Sequence, residues 1–203
     1  PFDKQYTISE NFYLANKQGK IQVPMMKVYN KTFYIGEHEK FTAVTLMYQK
    51  MEWNLMLFLP KVKDIEDSNL DELIKEMLGD SIHSLKFTPV EVEELSVPRF
   101  KVDYEKTLND TLKQLGMGKM FEGGFDEMAE NAKDLSVGSV AHRAVLEVNE
   151  EGTEAAAATA VVMMQEMMRA SVKISFNRPF IYALRHEKSD ELAFFGTMLA
   201  PSE

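Results

Sequence analysis

Hydrophobic and polar residues alternate along much of this chain, and a period of two is the mark of a strand with one covered face. The pattern predicts strands over 33–35 and 41–48, around the polar turn Gly36-Glu37-His38-Glu39-Lys40. A further strand over 53–59 runs into Pro60, which cannot donate to a ladder and is expected to stop it. Residues 90–100 and 140–148 alternate again, and 172–176, 180–184 and 192–195 are the closing strands. Helical spacing occurs twice. Leu70, Leu73, Ile74, Met77 and Leu78 form the apolar stripe of a helix that Ser68 begins and Gly79 ends, with Asp71 and Glu72 in its first turn. Residues 108–115 form a second short helix with Gly116 after it, and Gly123-Gly124 is a turn. Many strands with two or three short helices predict an α+β class.

One stretch fits neither period cleanly. From 153 to 162 only Glu154 is charged, every other side chain is small or β-branched, and Gly152 precedes the run. Ala155, Ala156, Ala157 and Ala158 alone favour helix, because alanine loses least on entering one. An amphipathic helix would also place charged or amide side chains every three to four residues, and none stands between Glu154 and Gln165. Read with period two, one face carries Thr153, Ala155, Ala157, Thr159 and Val161, and the other Glu154, Ala156, Ala158, Ala160 and Val162. Nothing on the first face is large or charged, so it could slide into a tightly packed sheet. Gly152 can adopt backbone angles closed to other residues, which suits a hinge. A buried Ala-rich helix and a strand both stay open on pattern alone.

The run Glu147-Val148-Asn149-Glu150-Glu151-Gly152-Thr153-Glu154-Ala155-Ala156-Ala157 closely resembles the hinge of the serpins, the serine protease inhibitor superfamily. Other pieces match in that family's order. Pro1-Phe2-Asp3 followed by Thr7 and Phe12 is similar to the segment that opens the second half of a serpin. Val23-Pro24-Met25-Met26 resembles its next strand, and Met56-Leu57-Phe58-Leu59-Pro60 its hydrophobic strand ending in Leu-Pro. Val97-Pro98-Arg99-Phe100 and Leu115-Gly116-Met117 follow, then Phe176-Asn177-Arg178-Pro179-Phe180, Phe194-Phe195-Gly196 and Pro201. The resemblance covers the whole chain. It implies the C-terminal portion of the serpin fold: mostly antiparallel strands of sheets B and C plus part of sheet A, with two or three short helices. A serpin domain is much longer than this chain. Residues 1–203 are therefore expected to be the C-terminal half of a single domain, with a reactive-centre loop over about 150–175.

The resemblance also implies a mechanism, since serpin loop insertion is a general example of strand addition that releases stored strain. A target serine protease, with a cysteine protease as the alternative, would attack the exposed loop as a substrate. The hinge, Glu150, Glu151, Gly152, Thr153, Glu154, Ala155, Ala156, Ala157 and Ala158, would then enter the main sheet as a new strand. The acyl-enzyme would be dragged along and its catalytic site distorted. Non-inhibitory members commonly carry bulky or charged hinge residues, and this chain does not, so an active inhibitor is favoured. Counting forward from Gly152 places Glu166 before the scissile bond, while counting back from Phe176 points nearer Met168. The candidates are Glu166, Met167, Met168, Arg169 and Ala170. Arg169 is the only basic residue between Gly152 and Val172 and would suit a trypsin-like pocket holding a carboxylate. The methionines would suit elastase- or chymotrypsin-like enzymes, and Glu166 an acid-specific one. His142, in Val140-Ala141-His142-Arg143-Ala144-Val145, matches a histidine that serpins bury beneath the main sheet, where it helps hold the sheet closed. The bland reading of His142 is a core histidine satisfied by hydrogen bonds. Two other readings are a non-inhibitory carrier or chaperone, and an inactive fragment that self-associates by strand addition. Implied partners are the protease and the missing N-terminal half of the domain, which would supply one neighbour of the inserted strand.

Composition narrows the rest. A net charge of −9 argues against a nucleic-acid or anionic-membrane surface. No apolar run approaches the roughly 18 residues of a membrane span. Pro1-Phe2-Asp3-Lys4 has no signal-peptide character, which says nothing here because the start resembles a position inside a domain. The absence of cysteine excludes disulfides, Cys-based zinc sites and a Cys nucleophile, but leaves secreted and cytoplasmic locations both open. Two sequons, Asn30-Lys31-Thr32 and Asn109-Asp110-Thr111, would permit glycosylation in a secreted protein but carry little weight because the motif is short; the expectation leans slightly toward secretion. His38, His83, His142 and His186 have no metal-ligand spacing. No nucleophile elbow or phosphate loop is present. The sequence implies no enzyme, no cofactor and no metal.

Overall fold

Alternation along the chain becomes a large antiparallel sheet. The computed structural model describes residues 2–48, 52–62, 65–77, 85–123, 125, 135–150 and 172–201. Its strands are β1 (Ile8–Tyr13), β2 (Lys20–Glu37), β3 (Phe41–Met47), β4 (Trp53–Pro60), β5 (Phe87–Pro98), β6 (Phe100–Thr107), β7 (Ala141–Val148), β8 (Lys173–Ser175), β9 (Phe180–His186) and β10 (Leu192–Met198). Among the described residues the α-helices are α1 (Asp67–Glu76) and α2 (Asn109–Leu112). The eight-stranded sheet runs β10-β9-β4-β3-β2-β5-β8, with β1 also paired to β2, and β6 and β7 form a separate two-stranded sheet. Among the described residues of the large sheet, β5 and β8 pair in parallel and the other pairs are antiparallel.

Every strand expected from alternation forms, with its limits adjusted. The hairpin around 36–40 pairs Tyr34 with Thr45 and Glu37 with Thr42. Pro60 does not fall after the ladder as expected; it pairs with Phe41 as the last residue of β4, where no further donor is needed. Residues 90–100 divide into the end of β5 and the start of β6, with Arg99 between them. Pro89 sits inside β5 opposite Tyr34. It is tolerated because β8 covers the other edge of β5 only at Glu94, Leu95 and Ser96. The helix expected over 108–115 shortens to α2. Leu108 offers its first turn no side-chain cap. The chain then widens through Lys113–Met117, where Gly116 turns left-handed at φ 90. Gly123 takes φ 138 in the expected turn, and Gly124 lies outside the described residues.

Residues Pro1–Lys101 with Glu147–Glu203 make up one unit and Val102–Leu146 another. The core of the first lies on the inner face of the large sheet. β4 is buried from Asn54 onward because strands flank it and α1 covers it. Leu70, Leu73 and Met77 of the predicted stripe pack onto Phe41, Ala43, Met56, Phe58, Ile181 and Ala183. Each fully buried side chain of this kind contributes about 1.5–3 kcal/mol. Lys40 ties the β2–β3 turn to the helix through Glu72 at 3.0 Å and Glu76 at 2.8 Å. Predicted stripe residue Leu78 lies outside the described residues. Lys27, buried in β2, meets Glu10 of β1 at 2.6 Å and Glu94 of β5 at 2.7 Å, so one cation braces three strands.

Close approach decides one position. Gly196 of β10 faces Tyr182 of β9, and a Cβ there would sit 2.6 Å from the ring carbon bearing the hydroxyl. Tyr182 is buried and cannot swing into solvent. Gly196→Ala is expected to lower unfolding stability by about 1–3 kcal/mol through overpacking. An unchanged urea midpoint would show that the ring yields.

In the second unit Tyr104, Leu115, Leu135 and Val145 are exposed. Arg143 of β7 makes a two-pronged hydrogen bond to Asp103 of β6, at 2.8 and 2.6 Å. The two sequons differ in their surroundings. Asn30 is exposed, with a left-handed backbone in mid-β2. The Asn109 amide already holds the chain ahead of β7, donating to the Gly138 carbonyl and accepting from the Val140 N–H.

Candidate functional site

The structure resolves the two ends from which residues 151–171 depart. At the upstream end β7 stops at Val148, and two residues later Glu150 turns inward to become one of the few buried charged residues. An ionised carboxylate is tolerated there only when its oxygens are satisfied. Arg99 Nη2 donates to both of them, at 2.8 and 2.9 Å, and the Thr7 hydroxyl donates to Oε1. The side chain of Glu150 is 3% exposed, whereas that of Arg99 is 37% exposed. The pair is therefore a buried anion held by a cation that keeps contact with water. Burial alone would push the Glu150 carboxyl up. The Arg99 guanidinium and Thr7 hydroxyl, with a backbone hydrogen bond, outweigh it and hold the group below its ordinary value.

That direction sets a pH dependence. The native state holds Glu150 ionised more firmly than the unfolded chain does, so its contribution is fully present above the ordinary carboxylate range. It is lost as pH falls through the lowered native value. Glu94 beside Lys27 is shifted down as well and adds to the same acid limb. Stability should fall on acidification below about pH 4.5, and Glu150→Gln should flatten part of that fall. An acid limb identical in the variant would remove Glu150 from the account.

At the downstream end the Val172 carbonyl accepts the Glu93 N–H at 2.9 Å. β8 then runs parallel to β5 with Lys173 opposite Glu94 and Ser175 opposite Ser96. Lys173 pairs with Glu93 at 2.8 Å, and the Phe176 N–H closes onto the Ser96 carbonyl at 2.9 Å. Phe176 stacks edge-on with Phe180 at 5.3 Å, locking the return into the core. Both ends are thus fastened to one piece of chain. The downstream end lies on 93–96 of β5, and the upstream end on Arg99 just beyond it.

Of the hinge residues expected from sequence, only Glu150 is described. Glu151, Gly152, Thr153, Glu154, Ala155, Ala156, Ala157 and Ala158 lie outside the described residues. So do the reactive-bond candidates Glu166, Met167, Met168, Arg169 and Ala170. His142 is described, and in this chain it is exposed on β7 rather than buried. The physical reason is that β7 is exposed along most of its length here, with only its final residue, Val148, buried. Arg99 and Thr7 were visible as motif residues, but their role is not. They reach Glu150 from 51 and 143 residues away, and no local pattern encodes such a meeting. Among the described residues no group of histidines and carboxylates could hold a metal ion, and no helix is long and apolar enough to cross a membrane.

Known proteins carry the same sequence features and fold. The family model described as serpin (serine protease inhibitor) matches residues 1–201. The chain is 34% identical to Serpin A3-7 of Bos taurus, over 100% of this chain and 48% of that protein. It is 31% identical to the leukocyte elastase inhibitor of Homo sapiens, over 98% of this chain and 54% of that protein. The chain therefore spans about half the length of these relatives. Its fold superposes on native protease nexin-1, crystallised with heparin, at a TM-score of 0.82 and 22% identity, covering 98% of this chain and 53% of that one. Arabidopsis AtSerpin1 in its native stressed conformation gives 0.80 at 26% identity, covering 98% and 53%. An α+β chain built from these strands in this order, with Glu150 anchored between Thr7 and Arg99, belongs to the serpin family of serine protease inhibitors.

Proposed function

We propose that this chain is the C-terminal half of a single serpin domain, and that the whole domain inhibits a serine protease as a suicide substrate. The reactive-centre loop spans about 150–175. The observation that carries the reading is the unobstructed face Thr153, Ala155, Ala157 and Thr159, which comes directly after the anchored Glu150. Two arrangements support it. The ends of the loop are fastened to β5 and to Arg99 just beyond it, and Ser96 and Arg99 are only roughly 10 Å apart along an extended chain. Residues 151–171, at about 3.3–3.6 Å each when extended, are far longer than that separation requires. Second, β7 leads straight into the proposed hinge, and among the described residues it pairs with β6 alone, which leaves its other edge as a place for a strand to add.

The names of relatives such as the leukocyte elastase inhibitor agree with a protease target. Bond cleavage falls among Glu166, Met167, Met168, Arg169 and Ala170. The exposed apolar side chains of 102–146 and the exposure of His142 fit a unit whose covering layer belongs to the other half of the domain. In the complete domain His142 would then lie beneath the sheet and help hold it closed. The test is incubation of the full-length protein with a panel of serine proteases. A detergent-stable complex is expected, with the released C-terminal peptide beginning after one of the five candidates. Cleavage of the loop by every protease without a trapped complex would make the protein a substrate and overturn the reading.

A further inference from the structure

A cavity of about 720 Å³ opens between the β1–β2 connection and the chain that returns from β8 to β9. Its apolar lining includes the Tyr13 ring, Leu14 and buried Ile65, while Lys17, Lys20 and Arg178 supply cationic groups. The walls are held by backbone hydrogen bonds. The Tyr13 N–H donates to the Asn177 carbonyl, and the Asn16 N–H to the Ile65 carbonyl, both at 2.8 Å. The loop carrying Lys17 is therefore tied to the chain ahead of α1, and β1 to the residue before Arg178.

Among the described residues, three cationic residues and no carboxylate line this cavity of an acidic chain. Acidic residues outnumber basic ones by 32 to 23. Elsewhere on this unit Lys27, Lys40, Lys61, Arg99, Lys173 and Arg185 sit against carboxylates, while the exposed Lys31, Lys75, Lys86 and Lys188 have no such partner among the described residues. Among the described residues, Lys17, Lys20 and Arg178 have no carboxylate partner. Arg178 is the most costly of the three. Its Nη2 donates to the Pro60 carbonyl at 2.6 Å, but its buried Nε has no acceptor. Burial also disfavours its charged form. A half-buried guanidinium with an unmet donor destabilises the fold unless something offsets it. Two further unpaired cations at the same cavity would add repulsion, and an anion would relieve both.

We propose that this cavity binds a small amphipathic oxyanion: a phosphate, sulfate or carboxylate head on an aromatic or short aliphatic body. The head accepts from the cationic groups, and the body lies against Tyr13, Leu14 and Ile65. Size fits this class, since ligand cavities usually span roughly 300–1,000 Å³ with an apolar lining and few polar anchors.

Calorimetric titration of the full-length protein with phenyl phosphate, inorganic phosphate and phenol tests the assignment. Phenyl phosphate should bind saturably, at least tenfold more tightly than either fragment. Raising salt from low to physiological strength should weaken it, because the head is held by partly exposed charges. The exposed pair Lys17→Gln and Lys20→Gln should weaken binding at least tenfold without moving the unfolding midpoint downward. Arg178→Gln should weaken it further, but it also loses the bond to Pro60, so the lysine pair decides. No saturable binding of phenyl phosphate, equal binding of phenol, or full binding by the lysine double variant would each overturn the proposal.

Discussion

Glu150→Lys is expected to destabilise the native state by about 3 kcal/mol, the low end of the cost of removing one member of a buried pair. The low end applies because Arg99 retains 37% of its side-chain exposure, so water screens part of the repulsion. Three losses coincide. The anion that Arg99 contacts twice disappears, a cation is placed in a site only 3% exposed, and the Thr7 hydroxyl loses its acceptor. The site lies immediately ahead of residues 151–171, so the consequence is positional as well as energetic. With Glu150 displaced, β7 should fray at its Val148 end. The measurement is a urea midpoint for Glu150→Lys, Arg99→Glu and the double variant. Each single change should lower the midpoint, and the swap should recover part of the loss as coupling between neighbours. Additive losses in the double variant would show that the pair contributes packing rather than charge.

Legibility in the sequence depends on where each interaction is encoded. The hairpin of β2 and β3, the central β4 and the stripe of α1 were legible because one covered face imposes a period on local sequence. β2 was legible only in pieces, since the exposed run Tyr29, Asn30, Lys31 and Thr32 breaks its alternation while the backbone continues through it. Of β6, only Phe100 was assigned to a strand. Its Lys101, Asp103, Glu105 and Lys106 are all exposed here, and it has no covered face to impose a strong pattern. β1 was missed for a related reason: as an edge strand on β2 it carries polar residues on much of its surface. The candidate site divides in the same way. The small-residue hinge is local and was visible at once. The anchor of that hinge is a tertiary meeting of Thr7, Arg99 and Glu150, and sequence order alone cannot bring them together.

Under the proposed insertion mechanism, Thr153→Arg is expected to convert the full-length protein from inhibitor to substrate. Insertion of the hinge as a strand would convert roughly a dozen solvated backbone groups into ladder hydrogen bonds, each worth about 0.5–1.5 kcal/mol net. The driving force is thus on the order of 10 kcal/mol before side-chain burial. In the proposed mechanism Thr153 begins the face that passes into the sheet, ahead of Ala155, Ala157 and Thr159. An arginine there must leave water with no partner supplied, costing several kcal/mol at the first step. The total would still favour insertion, but the first residue sets the rate, and delay matters because the acyl bond hydrolyses meanwhile. Under the proposed mechanism position 153 lies in an exposed loop and Glu150 should be untouched, so native stability should hold within about 0.5 kcal/mol. The expected result is therefore rapid loop cleavage, free active protease and almost no detergent-stable complex, with native stability unchanged. A stable complex in wild-type yield would mean that the small face of the hinge is not what inhibition requires.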